Sequence, residues 1–306
     1  MAKANSASIL IVGTGALGCL FAARFASAGY PVQMQGSWPE GVATLQERGV
    51  TLVMPDGSRK SYRVQASAQP RDFAGAKFAL VLVKAWQTQR AAEQLFDALA
   101  MDGIALTLQN GLGNRETLLA KLGAERVAYG VITTGATLLG PGEVRWAGEG
   151  QISLGTHARL APLADALQRV GFKVVTVDNM NSVAWSKLVI NAAINPLTAL
   201  LGIPNGDLLS RPTARELSAA LAREVAAVAA AKGIALTFAD PLVAAEDVAR
   251  RTAANLSSML QDVRRSAPTE INAICGAVVQ AGKESGVPTP VNEIMWKLVS
   301  ALPGAA

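Results

Sequence analysis

The sequence predicts an α/β domain built on a parallel sheet, followed by an all-α domain. Three observations carry this. Short apolar, β-branched runs alternate with helix-length segments as far as about residue 177, the pattern of a parallel sheet covered on both faces. A glycine-rich turn follows the first of these runs and opens a helix. From residue 179 onward long helical segments dominate, punctuated by Pro and Gly. With 306 residues the chain has the length of two domains, at roughly 150 residues each. Their predicted spans are residues 1–178 and 179–306.

Residues 8–12 form the first buried strand, residues 13–18 the turn, and the helix runs on to residue 28. Residues 31–35 are the second strand. Residues 50–54 and 59–64 form a hairpin across Pro55-Asp56-Gly57, because Pro and Asp-Gly favour a tight reversal. Another buried strand covers 78–83, a helix about 86–99, and further strands 104–108, 127–131 and 152–154. The helical domain is read as segments 182–193, 214–231, 239–259 and 269–285. Pro196, Pro204-Asn205-Gly206, Gly233 and Pro288 punctuate it.

Composition narrows the function. Half the residues are hydrophobic, and the net charge of +5 comes from scattered Lys and Arg. No basic stripe carries interleaved aromatics, so nucleic-acid binding is not expected. The mild basic excess suits an anionic small molecule. Cys19 and Cys275 give neither a disulfide framework nor metal-ligand spacing, so a reducing, cytoplasmic compartment and no metal are expected. The start mimics a signal peptide, with Lys3, an apolar run and Ala26-Ser27-Ala28, but Arg24 interrupts the apolar region. No stretch is expected to cross a membrane: the Ala-rich segment 219–231 is broken by Arg223 and Glu224.

Gly13-Thr14-Gly15-Ala16-Leu17-Gly18 fits G-x-G-x-x-G in a strand–turn–helix setting, the dinucleotide-binding mark of a Rossmann domain. The first glycine permits the tight turn, the second lets the backbone approach a pyrophosphate, and the third lets helix and strand pack. The helix N-terminus then offers N–H groups and partial positive charge to the phosphates. NAD sites usually end the second strand in Asp or Glu. Here that region reads Gln33-Met34-Gln35-Gly36-Ser37-Trp38, with no acid before Glu40 and no cation before Arg48. The missing carboxylate favours NADP, with NAD as the alternative.

The stretch Trp185 to Pro196 is the most informative in the second domain. Lys187, Asn191 and Asn195 recur at i, i+4 and i+8, which puts them on one face of a helix whose other residues are nearly all apolar. A buried Lys with two Asn needs partners, and a binding cleft supplies them. A solvated stripe on an amphipathic helix is the plainer alternative. Lys187 is the best-placed proton donor, able to protonate the oxygen of a ketone that receives a hydride. The single histidine, His157, is read as a loop residue, and no Ser-His-Asp or Cys-His arrangement can be assembled.

These motifs, taken with several others, give a chain that resembles the ketopantoate reductases (2-dehydropantoate 2-reductases) of pantothenate biosynthesis over nearly its whole length. The others are Val83-Lys84-Ala85-Trp86-Gln87, Gln109-Asn110-Gly111-Leu112-Gly113, Gly140-Pro141-Gly142, Asn195-Pro196-Leu197-Thr198-Ala199, Pro204-Asn205-Gly206, residues 255–262 and Thr269-Glu270-Ile271. The resemblance implies a helical domain like the C-terminal one of 6-phosphogluconate dehydrogenase. It implies that Lys84, Asn110 and Ala136 join the glycine turn in contacting NADP, and that Lys187 is the general acid. Asn191, Asn195, Asn205 and Ser258, with Lys187, would hold the keto acid, and Glu270 would sit by the nicotinamide and the catalytic Lys. Taken alone, Asn205 is a turn residue, Ser258 a helix-surface serine, Glu270 a first-turn carboxylate and Lys84 a solvated strand end. Many family members carry an Arg where this chain has Gly36-Ser37-Trp38. The expected activity is NADPH-dependent reduction of ketopantoate to (R)-pantoate. The alternatives are reduction of another 2-keto acid and a non-catalytic nucleotide sensor. The apolar helical domain permits a homodimer.

Overall fold

The structure, a computed structural model, describes residues 8–304. Lys3 and the outermost residues of both predicted domains lie outside that range. The chain divides into two compact units, one of residues 1–109 and 114–180, the other of 110–113 and 181–306.

In the first unit β1 (Ile9–Val12) leads through the glycine turn into α1 (Ala16–Ser27), and β2 (Val32–Gln35) follows. Then come α2 (Pro39–Arg48), β3 (Val50–Val53), β4 (Arg59–Tyr62), β5 (Gln65–Ser67) and β6 (Ala76–Val81). The chain continues through α3 (Thr88–Ala98), β7 (Leu99–Thr107), α4 (Asn114–Leu122) and β8 (Val127–Ile132). It closes with β9 (Gly135–Gly140), β10 (Glu143–Gly148), β11 (Gln151–Gly155), α5 (Ala161–Arg169) and β12 (Lys173–Val177).

The main sheet has eight strands in the order β12-β11-β8-β7-β6-β1-β2-β5. From β8 to β5 every pairing is parallel, whereas β11 lies antiparallel to β8. Alternation along β1 shows why the apolar runs are unbroken. Ile9 and Ile11 face a core shared with α1, while Leu10 and Val12 face α3 and α4. Both faces are dry, so no position in such a strand needs to be polar.

The predicted hairpin forms, with β3 antiparallel to β4. Its larger context was not legible: β3 also pairs parallel with β10 in a second sheet of order β4-β3-β10-β9. This sheet packs on α1 from the side away from the main sheet. Enclosed on both sides, α1 buries Cys19 to Ala23 without interruption, together with Phe25. Phe21 stacks on Phe172 at 4.3 Å, and the Arg24 guanidinium lies over Trp146.

The second unit is helical: α6 (Met180–Leu201, all but its first residue), α7 (Pro212–Ala231), α8 (Pro241–Arg251), α9 (Ser258–Arg264), α10 (Ala277–Ser285) and α11 (Pro290–Ser300). Three expectations need correction. The helix expected to stop before Pro196 continues eight residues past Ala193, to Leu201. An interior proline costs about 3 kcal/mol, and burial of Ile194, Leu197 and Ala199 offsets it. The helix expected over 239–259 is two, because the chain turns at 252–257 and Ser257 starts the next by capping the Leu260 N–H. The helix expected from Thr269 opens instead on a π-turn, Asn272–Gly276, where the indole N–H of Trp296 donates to Asn272 Oδ1 at 2.6 Å. No helix of the described residues is long and apolar enough to cross a membrane.

Ser257 also accepts the Thr198 hydroxyl at 2.7 Å, tying α9 to α6. Ser257→Ala is expected to destabilise the helical unit by about 1 kcal/mol. A lower urea midpoint of that unit's transition would report it; an unchanged midpoint would show that the cap is not needed.

Candidate active site

The glycine turn sits where β1 ends. Gly13 has φ +125°, and a Cβ there would meet the Leu82 carbonyl carbon at 2.8 Å. A Cβ on Gly18 would lie 2.0 Å from the Gly13 carbonyl oxygen, so α1 crosses the turn at a distance only glycine permits. Gly15 differs from both: it is exposed, and a Cβ there would meet nothing within 4 Å. Its backbone stands at the N-terminus of α1 in open space. Thr14 is buried, and Ala16 and Leu17 are half-buried. A bare, open glycine ahead of unpaired helical N–H groups is the setting a dinucleotide pyrophosphate requires.

Lys84 caps the short turn that leads from β6 into α3, half-buried. A network that sequence reasoning did not find holds this turn. Gln109 at the end of β7 donates through Nε2 to the Val83 carbonyl at 3.0 Å and to Thr88 Oγ1 at 2.8 Å, and accepts from Thr107 at 2.9 Å. Ala136 packs on the core beside α1 from strand β9. His157 closes its own loop, its Nδ1 accepting the Arg159 N–H at 3.1 Å.

In the helical unit three predicted residues meet. The Lys187 ammonium donates to Asn110 Oδ1 at 2.7 Å, and Asn110 Nδ2 donates to Glu270 Oε2 at 3.0 Å. Ammonium on one side and carboxylate on the other leave the amide one orientation. Loop 110–113 is held in this unit by the Leu112 N–H, which donates to the Ala273 carbonyl at 2.9 Å. Glu270 is buried just ahead of the π-turn, and its carbonyl accepts from Ala273 and Ile274. Burial lowers the Lys187 pKa from 10.5 to about 8, while the negative charge of Glu270 pulls it the other way. An ammonium with that pKa exchanges its proton near neutrality.

Asn191 and Asn195 follow Lys187 on α6, half-buried and buried respectively. Ser258 opens α9, half-buried. Among the described residues the side chains of these three have no hydrogen-bond partner. Asn205 is buried in the turn after Pro204, and its Nδ2 donates to Thr252 Oγ1 at 2.9 Å, so it braces the break between α8 and α9. Its Oδ1 is buried without a partner. Among the described residues no cluster of three or more His, Cys, Asp or Glu could hold a metal ion.

Comparison with known proteins gives a consistent picture. The family described as "Ketopantoate reductase PanE/ApbA" matches residues 9–159, and its C-terminal counterpart matches 179–303. The 2-dehydropantoate 2-reductase of Archaeoglobus fulgidus is 35% identical, over 95% of this chain and 96% of that one. The crystal structure of a PanE/ApbA family ketopantoate reductase from Ralstonia eutropha has a TM-score of 0.90 at 32% identity, covering 97% and 98% of the two chains. A ternary structure of D-mandelate dehydrogenase with NADH and anilino(oxo)acetate has a TM-score of 0.91 at 26% identity, with the same coverage.

The open setting of Gly15 and the crowding of Gly18 predict opposite outcomes. Gly15→Val should leave the thermal transition in place and abolish dinucleotide binding by calorimetry. Gly18→Ala should lower the melting temperature, because its methyl has no room. A folded Gly15→Val protein with unchanged affinity would remove the turn from the binding site.

Proposed function

The chain belongs to the ketopantoate reductase family, and we propose that it reduces 2-dehydropantoate to (R)-pantoate with NADPH, Lys187 serving as general acid. The observation that carries this reading is the hydrogen-bonded chain Lys187–Asn110–Glu270, with a lysine pKa of about 8. The glycine turn, Lys84, Asn110, Ala136 and Glu270 would hold the dinucleotide, which would supply the hydride for C2 of the keto acid. As the C2–H bond forms, the carbonyl π electrons move to oxygen. The Lys187 ammonium stabilises that charge and gives up a proton, completing the hydroxyl. Water then returns a proton to the amine.

Asn110 sets where the ammonium points, and Glu270 sets which way Asn110 faces. Glu270 is thus a positioning residue that also favours the charged form of Lys187. Asn191, Asn195, Asn205 and Ser258 are proposed to bind the keto acid: three lack protein partners, and Asn205 has a buried oxygen to satisfy. A single protonated lysine among neutral amides also selects an anionic substrate. Two buried, unpaired cysteines suit a cytoplasmic enzyme. The likeness to D-mandelate dehydrogenase favours one second reading, reduction of another 2-keto acid with NADH. A panel of keto acids assayed with both cofactors separates the two. A non-catalytic sensor has no use for a lysine tuned toward neutrality.

Lys187→Ala is expected to lower kcat by about 10²–10⁴-fold with little change in NADPH affinity. The wild-type rate should be sustained while Lys187 is protonated and fall as pH rises through about 8, and the variant should lose that limb. Lys187→Arg should restore little, since guanidinium holds its proton. Glu270→Gln removes the charge that raises the Lys187 pKa, so its alkaline limb should move to lower pH. A limb that stays in place in both variants assigns the ionisation to another group. Alanine at Asn191, Asn195 or Ser258 should raise KM for the keto acid and spare NADPH binding; three variants indistinguishable from wild type would place the pocket elsewhere.

A further inference from the structure

We propose that Gln35 and Arg90 read the ribose end of the dinucleotide, and that they receive a 2′-phosphate in place of a cation at the end of β2. This rests on the dinucleotide reading above and names two residues to which no role has yet been given. In Rossmann domains the end of the second strand meets the adenosine ribose, with an acid for a free 2′-hydroxyl or a nearby Arg for a 2′-phosphate. Here the strand ends on Gln35. It is 1% exposed, and neither its amide nitrogen nor its amide oxygen has a hydrogen-bond partner. A buried carboxamide left wholly unpaired is costly and calls for a ligand.

Gln35 lines an open recess of about 250 Å³, counting the solvent in its mouth. Gly36, Ser37, Gln87, Arg90 and Gln94 line it too, and no carboxylate does. Arg90 lies in the first turn of α3 and is exposed, and among the described residues its guanidinium has neither an ion pair nor a hydrogen bond. The nearest acid along its helix, Glu93, already accepts from Gln89 at 2.9 Å. The recess therefore offers one uncommitted cation, a hydroxyl and three neutral amides. That set suits a phosphate, which takes charge-assisted and bidentate bonds from Arg. A second-strand carboxylate would repel the phosphate, and Gln35 is neutral at that place. The cation that the strand end lacks is supplied from the neighbouring helix.

The test is calorimetric titration of the full chain with NADPH and with NADH, which differ only in the 2′-phosphate, and it needs no turnover. Wild type should bind NADPH more tightly. Arg90→Gln, a surface change that leaves the core intact, should weaken NADPH by about tenfold or more and leave NADH unchanged. Gln35→Glu should reduce the NADPH/NADH ratio further by repulsion, and Gln35→Met should reduce it without adding charge. Equal losses for both cofactors in Arg90→Gln, or an unchanged ratio, overturn the proposal. Wild type that binds NADH as tightly as NADPH overturns it and leaves the dinucleotide reading standing. Wild type that binds neither overturns that reading as well.

Discussion

The proposed chemistry rests on one half-buried ammonium, that of Lys187. A lysine in water holds its proton too firmly to act as an acid near pH 7, and a lysine buried alone loses its charge altogether. Lys187 lies between these limits. Burial drives its pKa down, and Glu270 limits the fall. Asn110 bridges the two, accepting from the ammonium and donating to the carboxylate, and so transmits orientation. Lys187, Asn191 and Asn195 occupy successive turns of α6, so one helix carries the proposed acid and two polar groups beyond it.

The continuity of α6 has a cause that sequence rules miss. Proline inside a helix reads as a stop, and Pro196 reads as one. The residues around it are buried without interruption from Ala192 to Ala199, and that packing outweighs the local penalty. The second sheet was hidden for a related reason. Its hairpin was legible from Pro55-Asp56-Gly57, but β3 and β10 are some ninety residues apart in sequence, and periodicity carries no information about pairing at that range. What was legible depends on local sterics: the glycine turn, the parallel strands, and the stripe of Lys and Asn on an otherwise apolar helix.

At the candidate site, type and spacing pointed to Lys187, Asn191 and Asn195 without help. Asn110 and Glu270 came only through resemblance, since an Asn before Gly reads as a turn and a Glu after Thr reads as a helix start. Their meeting with Lys187 is a product of tertiary structure. Gln109 and Gln35 could not have been found at all. A glutamine at a strand end is unremarkable until it is seen that one has every polar atom engaged and the other has none.

The second sheet also orders events during synthesis. Helix α1 buries Cys19 to Ala23 and Phe25, and β10, one of its covering strands, ends at Gly148. During synthesis α1 is complete at Ser27 but cannot be enclosed until β10, more than a hundred residues further on, has been added. Over that interval Phe21, Phe25 and their neighbours stay uncovered, as non-local sheets oblige them to. A chain released before residue 148 retains the glycine turn and exposes the helix that follows it.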